Sequence, residues 1–251
     1  MISIWRKLSV VVKMEQIYFP EDESFLYSSS SDLVGITQSV IPIKGLRPIE
    51  TLQTDLTKSE DDLWAEIKKS TRQHIRQAQK NYRLSYFATD EPTDEQIHQF
   101  RDYYNEFARA KKTRICTSFN VNTMKLLRNQ KSLFMSFMET EDNKPICYRV
   151  YAVDGKRAMA LYNASHYRME VDTDRKKMLS NGHHLQKWMD ILKFKEKGFL
   201  IVDSGGLTND EKIRNYKLQF GGNIVTEYSG YLPKTVLGQL VIYARNRSVG
   251  V

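Results

Sequence analysis

An α+β fold, an α/β sandwich of strands and helices, is what this sequence predicts, and two observations carry it. Residues 132–164 alternate as three strands, Ser132 to Glu139, Ile146 to Val153 and Lys156 to Ala164, with Asp142-Asn143 and Asp154-Gly155 as turns. Short turns of that kind join antiparallel neighbours, so the middle of the chain reads as a meander. On either side, helical and strand patterns alternate, and from Tyr82 the order is β-α-(α)-β-β-β-α-β-α-β.

The elements follow in order. Strand candidates lie at Ser9 to Phe19, Leu33 to Ile43 and Ile49 to Leu56. Ser59 then caps a helix whose first turn holds Glu60, Asp61 and Asp62, acids suited to the positive helix end. Leu63, Ile67, Thr71, Ile75 and Ala78 fall on one side of it. A strand runs from Tyr82 to Ala88, and Thr93 with Gln96 forms a capping box ahead of Ile97, Phe100, Tyr104 and Phe107. After the meander, a polar loop from Ser165 to Ser180 leads to Asn181-Gly182 and a helix through about Lys197. A buried strand at Phe199, a short helix near Lys212 to Leu218, a strand Asn223 to Tyr231 and a helix after Pro233 complete the chain. Two domains are expected: a partial, β-rich N-terminal lobe over 1–58 and a larger one over 59–251.

The 251 residues, 41 % hydrophobic and 27 % charged, have the make-up of a globular protein with a real core. No apolar run is long enough to span a bilayer, and the N-terminus has no small-residue cleavage site, so a cytoplasmic chain is expected. Two cysteines make neither a metal spacing nor a disulfide framework, which fits a reducing compartment. The net charge of +8 favours anionic partners: nucleic acid, phosphorylated cofactors, or the inner membrane surface. No Walker loop or dinucleotide fingerprint is present, and His183-His184 lacks partners at metal spacing, so no metal site is expected.

Three constellations carry candidate chemistry. Lys68, Arg72, Arg76 and Lys80, spaced by four, stack on one helix side. They are either a solvated face or a phosphate clamp. The stretch Asp174 to Gly182 places Arg175, Lys176 and Lys177 before a helix start at Ser180, Asn181 and Gly182. It is either an ordinary cap or a diphosphate site. The third is Gly198 to Gly222, GFLIVDSGGLTNDEKIRNYKLQFGG. There Asp203 ends a strand, Gly205-Gly206 turns the chain, and Tyr216-Lys217 sits on a short helix before Phe220-Gly221-Gly222. Lys217 is either a surface lysine packed on Phe220 or a cation set beside a reacting carbonyl. Asp203 either caps the Gly-Gly turn or holds and deprotonates an amine.

These stretches together, with Asp55 to Lys80, LYNAS at Leu161 to Ser165 and NGHHLQKWMDILKFKEKGF, resemble the FemAB-like branch of the GNAT acyltransferase superfamily over about residues 50–232. The resemblance implies a mixed, largely antiparallel central sheet flanked by helices and splayed at its centre to admit an acyl donor. It implies an N-acyltransferase in cell-envelope or polysaccharide biogenesis. The family's carbonyl-assisting lysine maps onto Lys217, with Tyr216 as its aromatic neighbour; Tyr216 and Phe220 are candidate substrate-binding residues and Asp203 a candidate catalytic one. Arg72 and Arg76 map onto the region that meets a phosphorylated or amino-sugar acceptor. Arg175, Ser180, Asn181 and Gly182 lie where GNAT proteins hold the coenzyme A diphosphate, although the usual Gln/Arg-x-x-Gly-x-Gly/Ala pattern is not kept. The expected co-substrate is an acyl-CoA, with no tightly bound cofactor. Aminoacyl-tRNA is the alternative donor, and a non-catalytic nucleic-acid-binding protein the rival from another class.

Overall fold

The computed structural model describes residues 1–249, with side chains to Arg247. Its strands are β1 (Ile2–Lys7), β2 (Lys13–Tyr18), β3 (Leu33–Ser39), β4 (Arg47–Asp55), β5 (Leu84–Thr89), β6 (Leu133–Thr140), β7 (Pro145–Val153), β8 (Arg157–Ser165), β9 (Ile201–Gly206) and β10 (Asn223–Pro233). Its helices are α1 (Ser24–Ser28), α2 (Glu60–Glu66), α3 (Lys69–Asn81), α4 (Asp94–Lys111), α5 (Ser118–Asn129), α6 (Thr173–Glu196), α7 (Glu211–Leu218) and α8 (Val236–Val249). The α+β class expected from the sequence is thus the one observed.

Contacts divide the chain into two units, one of residues 1–51 with 224–251 and one of residues 52–223. These bounds differ from the 1–58 and 59–251 read from sequence, because β10 returns to pair antiparallel with β3. In the first unit β1 and β2 form an antiparallel hairpin and β2 runs parallel to β3. The single strand expected over Ser9 to Phe19 is therefore the second arm of a hairpin whose first arm, β1, escaped the sequence reading. Ile17, Phe25, Val34, Ile36 and Ile43 make this unit's core.

In the second unit β6, β7 and β8 form the expected antiparallel meander, β5 pairs antiparallel to β6 after α4 and α5 intervene in the chain, and β9 pairs parallel to β8. α3 packs on α6. Ile75, Phe134, Tyr151, Trp188, Ile191, Phe194, Val202 and Phe220 fill the core, and such burial is the main source of stability in a unit of this size.

Two helices depart from expectation. The helix capped by Ser59, whose hydroxyl does accept from the Asp62 amide, ends at Ile67, where the backbone turns extended. The Lys68 amide then donates to the Gln219 carbonyl at 2.9 Å, and the Thr71 hydroxyl to Gln219 Oε1 at 2.8 Å. A tertiary partner thus replaces the intrahelical bond, and α3 starts afresh. α6 begins eight residues before Asn181, because Asp172 caps it by accepting from the Arg175 amide at 2.7 Å. Asn181 and Gly182 are then buried inside the helix. Asn181 bonds His74 Nδ1 at 2.8 Å, and a Cβ at Gly182 would lie 2.6 Å from Ile146 Cδ1. That glycine serves close packing, and the expected helix start at Ser180, Asn181 and Gly182 is corrected to Thr173.

Candidate functional site

The β8–β9 ladder is short. It pairs Arg157 with Ile201, Ala158 with Val202 and Met159 with Asp203, and no further. Within β9, beyond Asp203, Gly205 has a φ of +73°, which suits glycine, and its missing side chain lets it pass close to the Ala160 carbonyl. The Gly205 amide donates to Asp203 Oδ1 at 2.7 Å rather than to β8. A local side-chain acceptor has taken the donor that would have extended the ladder.

Where the ladder ends there is a small cavity of about 10 Å³, about the room of one water oxygen. It is lined by Arg149 and Tyr151 of β7, Ala160 and Asn163 of β8, Asp203 and Ser204 of β9, Lys187 of α6, and Tyr216 and Lys217 of α7. Three cationic side chains from three elements converge here.

Lys217 Nζ donates to the carbonyls of Gly206 at 2.7 Å and Gly205 at 3.2 Å. An ammonium has three donors, so one is left for a further acceptor. Burial lowers its pKa to about 8 against the pull of Asp203, and it is still mostly charged at neutral pH. Lys187 is only 3 % exposed, with Nζ 3.0 Å from the Ser204 hydroxyl. Burial, reinforced by the charges of Arg149 and Lys217, holds its pKa well below the ordinary lysine value.

Arg149 ties the site together. Its guanidinium donates to Asn163 Oδ1 at 2.8 Å, to the Tyr216 hydroxyl at 2.6 Å and to His183 Nε2 at 3.0 Å. His183 accepts at Nε2 and is therefore neutral, in line with burial and the adjacent guanidinium depressing its pKa. Its ring stacks on Tyr216 at 4.9 Å, and burial pushes the Tyr216 phenol up to about 12. Asp190 lies 3.7 Å from Arg149 Nε and accepts from the Tyr86 and Tyr151 hydroxyls at 2.8 and 2.7 Å.

The other sequence candidates fall as follows. Asp203 is fully buried, and its carboxylate accepts from Gly205, from Gln53 at 3.2 Å and from Arg157. Of its two readings, capping the Gly-Gly turn is the contact seen. Phe220 is core, stacked near His184, rather than a surface for substrate. Arg72 donates to the Trp64 and Ala65 carbonyls at 3.2 and 3.0 Å, closing the C-terminus of α2. Arg76 lies over the Trp64 ring at 5.4 Å. Neither lines the cavity: Arg72 caps the end of α2 and Arg76 stacks on Trp64. Arg175 pairs with Glu170 at 2.9 Å. At the N-terminus of α6, Glu170, Asp172 and Asp174 balance Arg175, Lys176 and Lys177, and the Asp172 carboxylate already takes the Arg175 amide. Sequence reading missed Arg149, Lys187 and Asp190, and it set His183 aside.

Among the described residues no cluster of His, Cys, Asp or Glu is placed to hold a metal ion, and no helix is long and apolar enough to cross a membrane.

No protein-family model and no curated protein matches the sequence. Solved structures do match in fold. FemX superposes with a TM-score of 0.65 at 11 % identity, over 96 % of this chain and 85 % of its own. The chain is similar in fold to FemX. The C-terminal domain of a putative lysylphosphatidylglycerol synthetase from Agrobacterium fabrum follows with a TM-score of 0.55 at 11 % identity, over 97 % and 84 %. L-PGS from Bacillus licheniformis matches with 0.53 at 11 %, over 99 % and 85 %. The mixed α+β fold expected from the sequence is thus one shared with FemX.

Proposed function

We propose that the protein is an acyltransferase that moves an activated acyl group onto an amine by direct attack. The observation that carries this reading is the water-sized cavity at the end of the β8–β9 ladder, with the Lys217 ammonium and its remaining donor on the wall. A space of that size fits a carbonyl oxygen. A fixed cation beside it stabilises the charge that grows on that oxygen in the transition state, with no reorganisation during the step.

The amine nitrogen forms a bond to the carbonyl carbon, and the carbon's bond to the leaving oxygen or sulfur breaks. Lys187, whose pKa burial holds well below the ordinary lysine value, takes the proton released by the amine and returns it to the leaving group. Arg149 orients Tyr216, and through it the short helix that carries Lys217. No covalent acyl-enzyme is required.

An aminoacyl ester, as on a charged tRNA, is the donor in this reading, ahead of an acyl-CoA. The fold likeness to FemX and to a protein named a lysylphosphatidylglycerol synthetase supports the same choice. The acceptor in this reading is an amine or similar nucleophile on a cell-envelope precursor. Thermal-shift measurements with acetyl-CoA, free coenzyme A and an aminoacyl-tRNA pool test it. A specific donor at about a hundred times its Kd raises Tm by about 5–10 °C for a chain of this size. A flat response to all three, with no product formed from any of them, overturns the assignment.

A further inference from the structure

In the unit of residues 1–51 and 224–251, two segments hold apolar side chains out into solvent. The tip of the β1–β2 hairpin, closed by the Leu8 amide on the Val12 carbonyl at 2.9 Å, presents Val10 at 92 % and Val11 at 66 % exposure. On α8, Val236, Leu240 and Tyr243 are exposed at steps of four and three, which places them on one helix face. Hairpin tips ordinarily carry Gly, Asn or Asp, so two bare valines need a reason.

Asp32 holds the two segments at the same end of the unit. Its Oδ2 accepts from the Lys13 amide at 2.8 Å, next to the hairpin tip. Its Oδ1 accepts from the Thr235 hydroxyl at 2.8 Å and its carbonyl from the Lys234 amide at 2.9 Å, at the start of α8. The exposed charges on and next to these two segments in sequence are basic: Lys7, Lys13, Arg245 and Arg247, while the Lys234 ammonium is spent on the Leu26 and Ser29 carbonyls. The guanidinium of Arg247 lies over the Tyr243 ring at 5.3 Å, so the apolar stripe runs directly into a cation. Neither the tip (residues 8–12) nor α8 contains an acid, and Asp32 is committed to the three bonds above.

We propose that the hairpin tip and the α8 face form a docking surface for an anionic lipid bilayer. Apolar side chains enter the headgroup boundary while flanking Lys and Arg meet the lipid charge. Two copies of the chain meeting through this face would set like charges against each other, which argues against self-association as its purpose.

Vesicle flotation of the full chain tests this, using phosphatidylcholine with and without phosphatidylglycerol. Binding is expected at least about tenfold stronger with the anionic lipid and weakened by salt. Leu240→Ser with Tyr243→Ser, and separately Val10→Ser with Val11→Ser, lose about tenfold while Tm is unchanged, since these side chains are exposed. Arg245→Gln with Arg247→Gln loses binding to anionic vesicles only. Equal flotation with both lipids, or serine variants that float like the parent, overturns the proposal. So does a parent dimer in sedimentation equilibrium that Leu240→Ser dissociates. None of these readings depends on turnover, so they stand or fall apart from the acyl-transfer assignment.

Discussion

Two sets of cations in the second unit make an instructive contrast. Lys68, Arg72, Arg76 and Lys80 repeat every four residues along one helical stretch, and spacing alone displays them. Arg149, Lys187 and Lys217 come from a strand and two helices, far apart in sequence, and meet around one small cavity. The first set is solvent-facing or spent on the C-terminus of α2 and on Trp64. The second is withdrawn from water, where charge interacts more strongly and pKa values move. Periodicity locates a face, whereas convergence of separate elements locates chemistry.

The sharpest way to break that contrast is Lys217→Ala. Removing the cation at the cavity is expected to lower kcat by about 10²–10³-fold, read with the donor identified by thermal shift, while Tm changes little. The pH profile sharpens the point. The pKa of Lys217 is lowered to about 8, so its charge is present below that pH and is lost as pH rises through it. Activity therefore falls on the alkaline side near pH 8. Lys217→Arg, charged at all accessible pH values, moves that fall upward at reduced kcat. An alkaline limb that stays at the same pH in the arginine variant removes Lys217 from the polarising role.

Lys187→Met is expected to give a smaller effect with an opposite signature in stability. The native pKa of Lys187 is depressed well below its unfolded value. Between the two values the unfolded chain binds more protons than the native one, and stability rises with pH through that window. Methionine, of similar length and without an amine, removes this slope. The variant gains about 2–4 °C in Tm per kcal/mol relieved, more at about pH 7 than at about pH 9, while turnover falls as the proton acceptor is lost. A Tm difference that does not vary with pH, measured by calorimetry, contradicts a buried amine with a depressed pKa.

The same contrast explains what was legible beforehand. The Asp203, Gly-Gly, Tyr216-Lys217 segment is contiguous, so its strand, turn and short helix could be read in one pass. The meander was legible because alternation and turn residues agree. Lys187 and Asp190 were not legible, since α6 is buried on several sides and its polar members look like an outward face beside Leu185, Trp188 and Ile191. Arg149 sits in a strand among core residues, and only its partners on β8, α6 and α7 give it a role. The start of α6 was misplaced because Asn181-Gly182 reads as a break. The available signal was Asp172, an acid in the N-cap position with Asp174 in the first turn. The break between α2 and α3 had no local signal at all, being set by Gln219, about 150 residues away.

The exposed row supplies the smallest expected effect and the control for the rest. If Arg72 and Arg76 act only within the fold, Arg72→Ala removes the donor that closes the α2 carbonyls of Trp64 and Ala65. That costs about 0.5–1 kcal/mol, as for loss of a cation at a helix C-terminus. Arg76→Ala loses one exposed contact over Trp64, worth about 0.5–1 kcal/mol. Tm then falls by about 1–4 °C in each variant, while kcat and KM for both substrates stay within about twofold. A phosphate clamp makes the opposite forecast: unchanged Tm, and a KM for a phosphorylated acceptor raised about tenfold or more by loss of bidentate contacts. The ratio of the two readouts, measured on the same preparations, decides whether the visible row of charges belongs to the scaffold or to the substrate.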